Sequence, residues 1–236
     1  MGTDTNSADG REAGLMWPET RLIHSIESLL TEGEAALIVA SAQAALEGRM
    51  TEFEVGSRSR SVHEIEGESL ATVVATYEPR GRIECDELAH DVTDLLDTAV
   101  RRRLSDIRIA FPSVSRASGW FYVEYGPGQF VTPHVDYPID DEYPEDIKYA
   151  AIGIMLQEPQ AGGEFFVETS GNPQPWVDGR VRTGANMHSG WFRDMRRTRW
   201  RASPGVGDAL CWGTQMVHGT ESVVAGRAAK VIALLH

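Results

Sequence analysis

Apolar positions recur in this chain with two different periods, and the change from one to the other divides it into a helical part and a β part. From Asp86 to Leu104 the residues Leu88, Val92, Leu95, Leu96, Ala99, Val100 and Leu104 fall on one helical face. Asp86 and Glu87 at its start and Arg101 to Arg103 at its end suit the helix dipole. Arg21 to Leu30 carries Leu22, Ile26, Leu29 and Leu30 at helical spacing, and Ala35 to Leu46 is rich in alanine and leucine, so two helices separated at Gly33 are expected. Leu70 to Tyr77 has the β-branched content of a strand and is bounded by Pro79 and Gly81. Beyond residue 118 the apolar runs shorten. Gly119 to Tyr125, Tyr149 to Leu156, Glu164 to Glu168, Trp191 to Trp200, Asp208 to Trp212 and Ala229 to Leu235 read as short strands, several of them separated by Gly or Pro.

Many short strands with such punctuation predict a sandwich or barrel, here a mainly β fold with flanking helices. No internal repeat or low-complexity linker interrupts the pattern. Residues 15–236 are therefore expected to form one domain, with 15–118 as a mostly helical support and 119–236 as the β core. Residues 1–14, small, polar and acidic, are expected to be a disordered tail.

Composition narrows the function. The chain has 236 residues, 42% of them hydrophobic, enough for one sizeable core. Its formal charge of -13 argues against a life on phosphate contacts, so nucleic acid is not an expected partner. The first residues lack a basic stretch followed by an apolar one, and no apolar run reaches the roughly 18 residues of a membrane span, so a cytoplasmic protein without a membrane partner is expected. Cys85 and Cys211 are two distant cysteines, which suits reduced thiols better than a disulfide framework or a zinc site.

Candidate chemistry centres on His134-Val135-Asp136 and on His218 far along the chain. On an extended strand, residues two apart project from the same face, so His134 and Asp136 can converge on one ion. Two imidazoles and a carboxylate make up the facial triad that holds ferrous iron and leaves positions open for a co-substrate and dioxygen. Arg227, nine residues after His218, offers a planar fork that matches a carboxylate.

The blocks around these residues are Tyr125-Gly126-Pro127-Gly128-Gln129-Phe130-Val131-Thr132-Pro133-His134-Val135-Asp136, Gly162-Gly163-Glu164-Phe165-Phe166, Pro204-Gly205-Val206-Gly207-Asp208-Ala209-Leu210, and His218-Gly219-Thr220 through Gly226-Arg227. In this order and spacing the chain resembles the iron(II)- and 2-oxoglutarate-dependent dioxygenases, in their prolyl-hydroxylase-like branch, from about Trp120 to its end. The resemblance implies a double-stranded β-helix, the jelly roll that cupins share, packed against the N-terminal helices. It implies Fe(II) held by His134, Asp136 and His218, with 2-oxoglutarate and O2 as co-substrates. It also implies that Arg227 binds the distal carboxylate of 2-oxoglutarate and that Tyr125 hydrogen-bonds the same molecule. Tyr125 has an equal reading as a core aromatic whose hydroxyl needs a partner. The implied reaction is hydroxylation of an unactivated C–H bond with release of succinate and carbon dioxide. Asp136 keeps the carboxylate that halogenating members replace by a small residue.

Seven arginines between Gly179 and Ala202 (Arg180, Arg182, Arg193, Arg196, Arg197, Arg199 and Arg201) form a basic cluster in an acidic chain. Either they neutralise surface acids on a solvated loop, or one of them anchors an anionic substrate. On a strand, Arg197, Arg199 and Arg201 would share one face, opposite Trp200. Trp176, His188 and Trp191 stand in or beside the same segment, and Arg199, Arg201 and Trp191 are the candidate substrate contacts. A small molecule is the expected substrate, with an amino acid or a specialised-metabolite intermediate carrying an anionic group among the candidates. The competing readings are a peptidyl hydroxylase of the prolyl type and a non-enzymatic cupin-like binder. The oligomeric state is left open.

Overall fold

The computed structural model describes residues 18–46, 63, 67–136, 147–170 and 197–236. Residues 1–14, expected as a tail, lie outside these, as do Trp176, His188, Trp191 and Arg180, Arg182, Arg193 and Arg196.

A 3-10 turn, Pro18–Arg21, leads into strand β1 (Ile23–Ile26), followed by helices α1 (Glu32–Leu46) and α2 (Leu70–Tyr77), strand β2 (Ile83–Cys85) and helices α3 (His90–Arg102) and α4 (Leu104–Ala110). The remaining strands are β3 (Ala117–Tyr125), β4 (Val131–His134), β5 (Ala150–Gln157), β6 (Ala161–Gly162), β7 (Phe165–Ser170), β8 (Arg197–Ala202), β9 (Ala209–Gly213), β10 (Val217–Thr220), β11 (Val223–Ala225) and β12 (Ala228–Leu235). They form a six-stranded sheet ordered β1-β9-β5-β12-β3-β2, a four-stranded sheet ordered β4-β10-β7-β8 and a small β11-β6 pair, with antiparallel pairing throughout. This is the expected jelly-roll core with helices packed on it.

Strand alternation assigns the two faces of the larger sheet to different tasks. On β12, Ala229, Val231, Ala233 and Leu235 join the main core with Ile38 and Ala42 of α1 and Val92, Leu96 and Ala99 of α3. The alternate residues Lys230, Ile232 and Leu234 line a cavity on the other side. Across the space between the sheets, Phe165 and Val167 of β7 meet Ala151, Leu210 and Trp212.

Two expectations in the support region are corrected. Arg21 to Leu30 is not helical: β1 pairs with β9, from Ile23 opposite Trp212 to Ile26 opposite Ala209, because the sheet has an edge there to complete. Gly33 accordingly lies inside α1 instead of separating two helices. The helix begins at a reciprocal cap, where the Thr31 hydroxyl accepts from Glu34 N and the Glu34 carboxylate accepts from Thr31 N. Leu70 to Tyr77 is helix α2 and not a strand. Ser69 caps it by accepting from Thr72 N, and Val73 and Tyr77, one helical turn apart, pack against Val135 and Val217. Burial of that stripe outweighs the β preference of Thr and Val.

Candidate metal centre

Register brings the two histidines together. His134 ends β4 and His218 sits in β10, directly opposite it in the antiparallel pair. Opposed residues share a face, so the imidazoles meet with ring centroids 4.3 Å apart. Asp136 lies just past the end of β4, and its amide donates to the Thr214 carbonyl at 3.1 Å. Its Oδ1 comes within 3.6 Å of His134 Nε2 and 3.4 Å of His218 Nε2, and the three potential ligand atoms lie within 4.8 Å of one another.

The neighbours of these side chains settle which atoms face inward. Nδ1 of His134 lies 2.9 Å from the Thr132 carbonyl, and Nδ1 of His218 lies 2.9 Å from the Met216 carbonyl. A carbonyl only accepts, so each Nδ1 carries the proton and each Nε2 presents its lone pair. Burial, reinforced by His218, lowers the pKa of His134. Burial alone would raise the Asp136 carboxyl, but His218 and His134 outweigh it and hold the group well below the usual carboxylate range. Converging imidazole lone pairs beside an ionised carboxylate fit a divalent transition metal. The second carboxylate oxygen, Oδ2, accepts from Trp212 Nε1 at 2.7 Å.

These residues line a cavity of about 490 Å3. His63 packs edge-on against His134 and stacks on Tyr77, with both ring-centroid separations at 4.6 Å. Burial, followed by the influence of His134 and Arg82, pushes its pKa well below the ordinary value. The cavity also reaches Thr220, Tyr125, Arg82 and Lys230. Tyr125 is buried, and its hydroxyl accepts from Arg82 at 2.8 Å, so the partner that the sequence required is an arginine from the support region. Arg82 is itself buried and ion-paired with Glu84 at 2.5 Å and Glu78 at 3.2 Å. Lys230 is only 7% exposed and donates to the Thr220 hydroxyl at 3.2 Å. Among the described residues no carboxylate pairs with it. Burial and the nearby charge of Arg82 push its pKa down to about 8.

Arg227 lies elsewhere. It precedes β12 with the opposite alternation to Lys230, is 58% exposed, and donates to Glu124 at 2.5 Å; it is not part of the cavity lining. The arginines of β8 do share one face, but it is the outer one. Arg199 pairs with Glu168 at 2.6 Å and with Glu221 at 3.1 Å, and it covers the Phe166 ring; Arg201 pairs with Glu221 at 2.8 Å. Neither lines the cavity. Trp200 shares the face of His134 and His218 instead, since β-pairing aligns His134, His218, Val167 and Trp200 in one row across the sheet, but it is exposed and does not line the cavity. Reading the sequence alone missed Lys230, Arg82, His63 and Trp212. None of these sits in a spaced motif, although an isolated lysine within the apolar run Ala228–Leu235 was a visible irregularity.

No family model matches the sequence, and no curated protein does. Solved structures do match in fold. A carbocyclase, SnoK from nogalamycin biosynthesis, described as non-heme and alpha-ketoglutarate-dependent, superposes with a TM-score of 0.57 at 14% identity, covering 100% of this chain and 87% of its own. A viral collagen prolyl hydroxylase from Paramecium Bursaria Chlorella virus-1, in complex with 2OG, gives 0.54 at 13% identity, covering 93% and 98%. The chain has the fold of these oxygenases. An oxidoreductase of the 2OG-Fe(II) oxygenase family from Burkholderia pseudomallei matches as well, with a TM-score of 0.51, 15% identity and coverage of 90% and 83%.

Proposed function

We propose that this protein is an iron(II)- and 2-oxoglutarate-dependent dioxygenase that hydroxylates an unactivated C–H bond of a small molecule. One observation carries the reading: a cavity that joins a divalent-metal donor set to a buried lysine with no carboxylate partner among the described residues. An ammonium buried without a counter-ion is destabilising by several kcal/mol, so its retention points to an anionic ligand that completes it.

His134, Asp136 and His218 hold the metal. Lys230, steadied by Thr220, takes the distal carboxylate of 2-oxoglutarate in place of Arg227, and Tyr125, oriented by Arg82, lies beside it. Iron(II), when bound, supplies activation of dioxygen coupled to oxidative decarboxylation of 2-oxoglutarate to succinate and carbon dioxide. The chain contributes ligand geometry, a fixed cation and exclusion of water. Phe165, Trp212, Val135 and Leu234 give the cavity apolar walls that suit an organic skeleton. The β8 arginines lend no support to an anionic substrate, because Glu168 and Glu221 already pair with them. Cys85 and Cys211, far apart in sequence and both buried, suit a reducing, cytoplasmic setting. Among the described residues no helix is long and apolar enough to cross a membrane.

Anaerobic loading with Fe(II) followed by 2-oxoglutarate tests the reading. A metal-to-ligand absorption band is expected, and succinate should form once oxygen is admitted with a metabolite panel. Absence of both from correctly folded protein overturns the proposal, and turnover with prolyl peptides but with no metabolite transfers it to a peptidyl hydroxylase.

A further inference from the structure

We infer that Trp212 is a positioning residue that commits Asp136 to the metal through Oδ1 alone. The inference rests on the proposed metal site. A carboxylate offers two oxygens, and both can engage one ion. If both did so here, Asp136 would occupy a position that the chemistry needs, because a co-substrate chelating through two atoms and dioxygen together require every position the triad leaves open. Oδ1 faces both imidazoles, whereas Oδ2 accepts the indole N–H of Trp212 at 2.7 Å. Among the described residues that indole is the one donor to Oδ2.

The indole is held so that it cannot easily turn away. Trp212 is buried in β9, with its ring 4.7 Å from Phe165 and 5.1 Å from His218 between centroids. Gly153 on the neighbouring strand makes room for it: a Cβ there would lie 3.0 Å from Trp212 Cζ3 and 3.1 Å from Cη2. Rotating the ring out would break the hydrogen bond between the buried indole and the half-buried Asp136 carboxylate, which opposes the change. Asp136 is also pinned through its amide to Thr214, one residue beyond the end of β9. Metal ligand and positioning donor are thus tied to the same stretch of chain.

Trp212→Phe keeps an aromatic side chain, while the smaller single ring removes the N–H together with some packed volume. In the full chain loaded with Mn(II), water-proton relaxation counts the solvent positions on the metal. The inference expects the variant to lose one such position, with the relaxation enhancement falling by about a third. Mn(II) affinity should stay within about threefold while anaerobic 2-oxoglutarate affinity falls roughly tenfold. Unchanged relaxation and co-substrate affinity overturn the inference, and so does a loss of metal affinity with the solvent count preserved, which marks a merely structural contact. If the variant does not fold, NMR of the 15N-labelled indoles in the unaltered protein decides instead. The indole signal most strongly shifted by Co(II) should remain protected from exchange when Zn(II) is bound, and rapid exchange there sinks the idea. Failure of the unaltered protein to bind metal or 2-oxoglutarate strikes the functional proposal itself and is read separately.

Discussion

The two ends of the cavity were written into the chain in different ways. At the metal end, two of the three proposed ligands come from one short motif, and the third is delivered by the β4-β10 register that places His218 opposite His134. At the cationic end no motif operates. Arg227 has the expected distance from His218 and the more suitable functional group, yet it points to Glu124 outside, while Lys230 points in. Spacing along the chain identifies a chelating pair because its geometry is local. It does not identify a far-wall residue, because alternation along β12 decides which side chains face the cavity.

The sharpest way to break this comparison is at the metal end. Asp136→Ala should abolish turnover and weaken Fe(II) binding by more than the roughly 100-fold that marks the upper range for outer-shell changes, as titration under argon would measure. At the other end, Lys230→Met should weaken 2-oxoglutarate binding by about 30-fold or more, the range for removing one partner of a buried charge pair, whereas Arg227→Ala should leave it within about twofold. The reverse ranking would restore Arg227 as the anchor and undo the alternation argument.

A pH series sharpens the same point. Lys230 is charged below its lowered pKa of about 8, so co-substrate affinity should be full at lower pH and fall as pH rises through that value, by about fivefold between pH 8 and pH 9. Lys230→Arg should flatten this profile. Because the folded-state pKa lies below the ordinary 10.5, deprotonation is easier in the folded chain, and this group adds stability as pH climbs from about 8 toward 10.5. The smallest effect belongs to the outer face of the four-stranded sheet. Arg199→Ala should cost no more than about 1 kcal/mol in a denaturant melt and leave kcat and KM unchanged, since its partners are Glu168 and Glu221. A rise in substrate KM would return the β8 arginines to the site.

Much of the fold was legible where one driving force dominated. The stripe Val92, Leu96, Ala99 and Val100 gave α3 away, and the apolar run from Tyr149 to Leu156, read as a short strand, is β5. Where two forces competed, the sequence misled. The β-branched residues of α2 hid a helix whose stability comes from a serine cap and one buried face, and β1 looked helical because four apolar residues happened to be spaced that way. The β8 arginines were correctly placed on a common face, but which side that face would meet was illegible, since alternation has no sign until the strand is paired.

By itself the amino-acid order determined which residues form the candidate metal group, the acidic character of the chain and the β-rich core, because these depend on residue type and near-neighbour spacing. Tertiary structure alone decided that Lys230 and not Arg227 enters the cavity, that Trp212 reaches Oδ2 of Asp136, and that Arg82 from the support region meets Tyr125. Those contacts join residues 43 to 76 positions apart in two cases, and in the third they depend on which side of β12 turns inward. Only the paired and packed sheets carry that information.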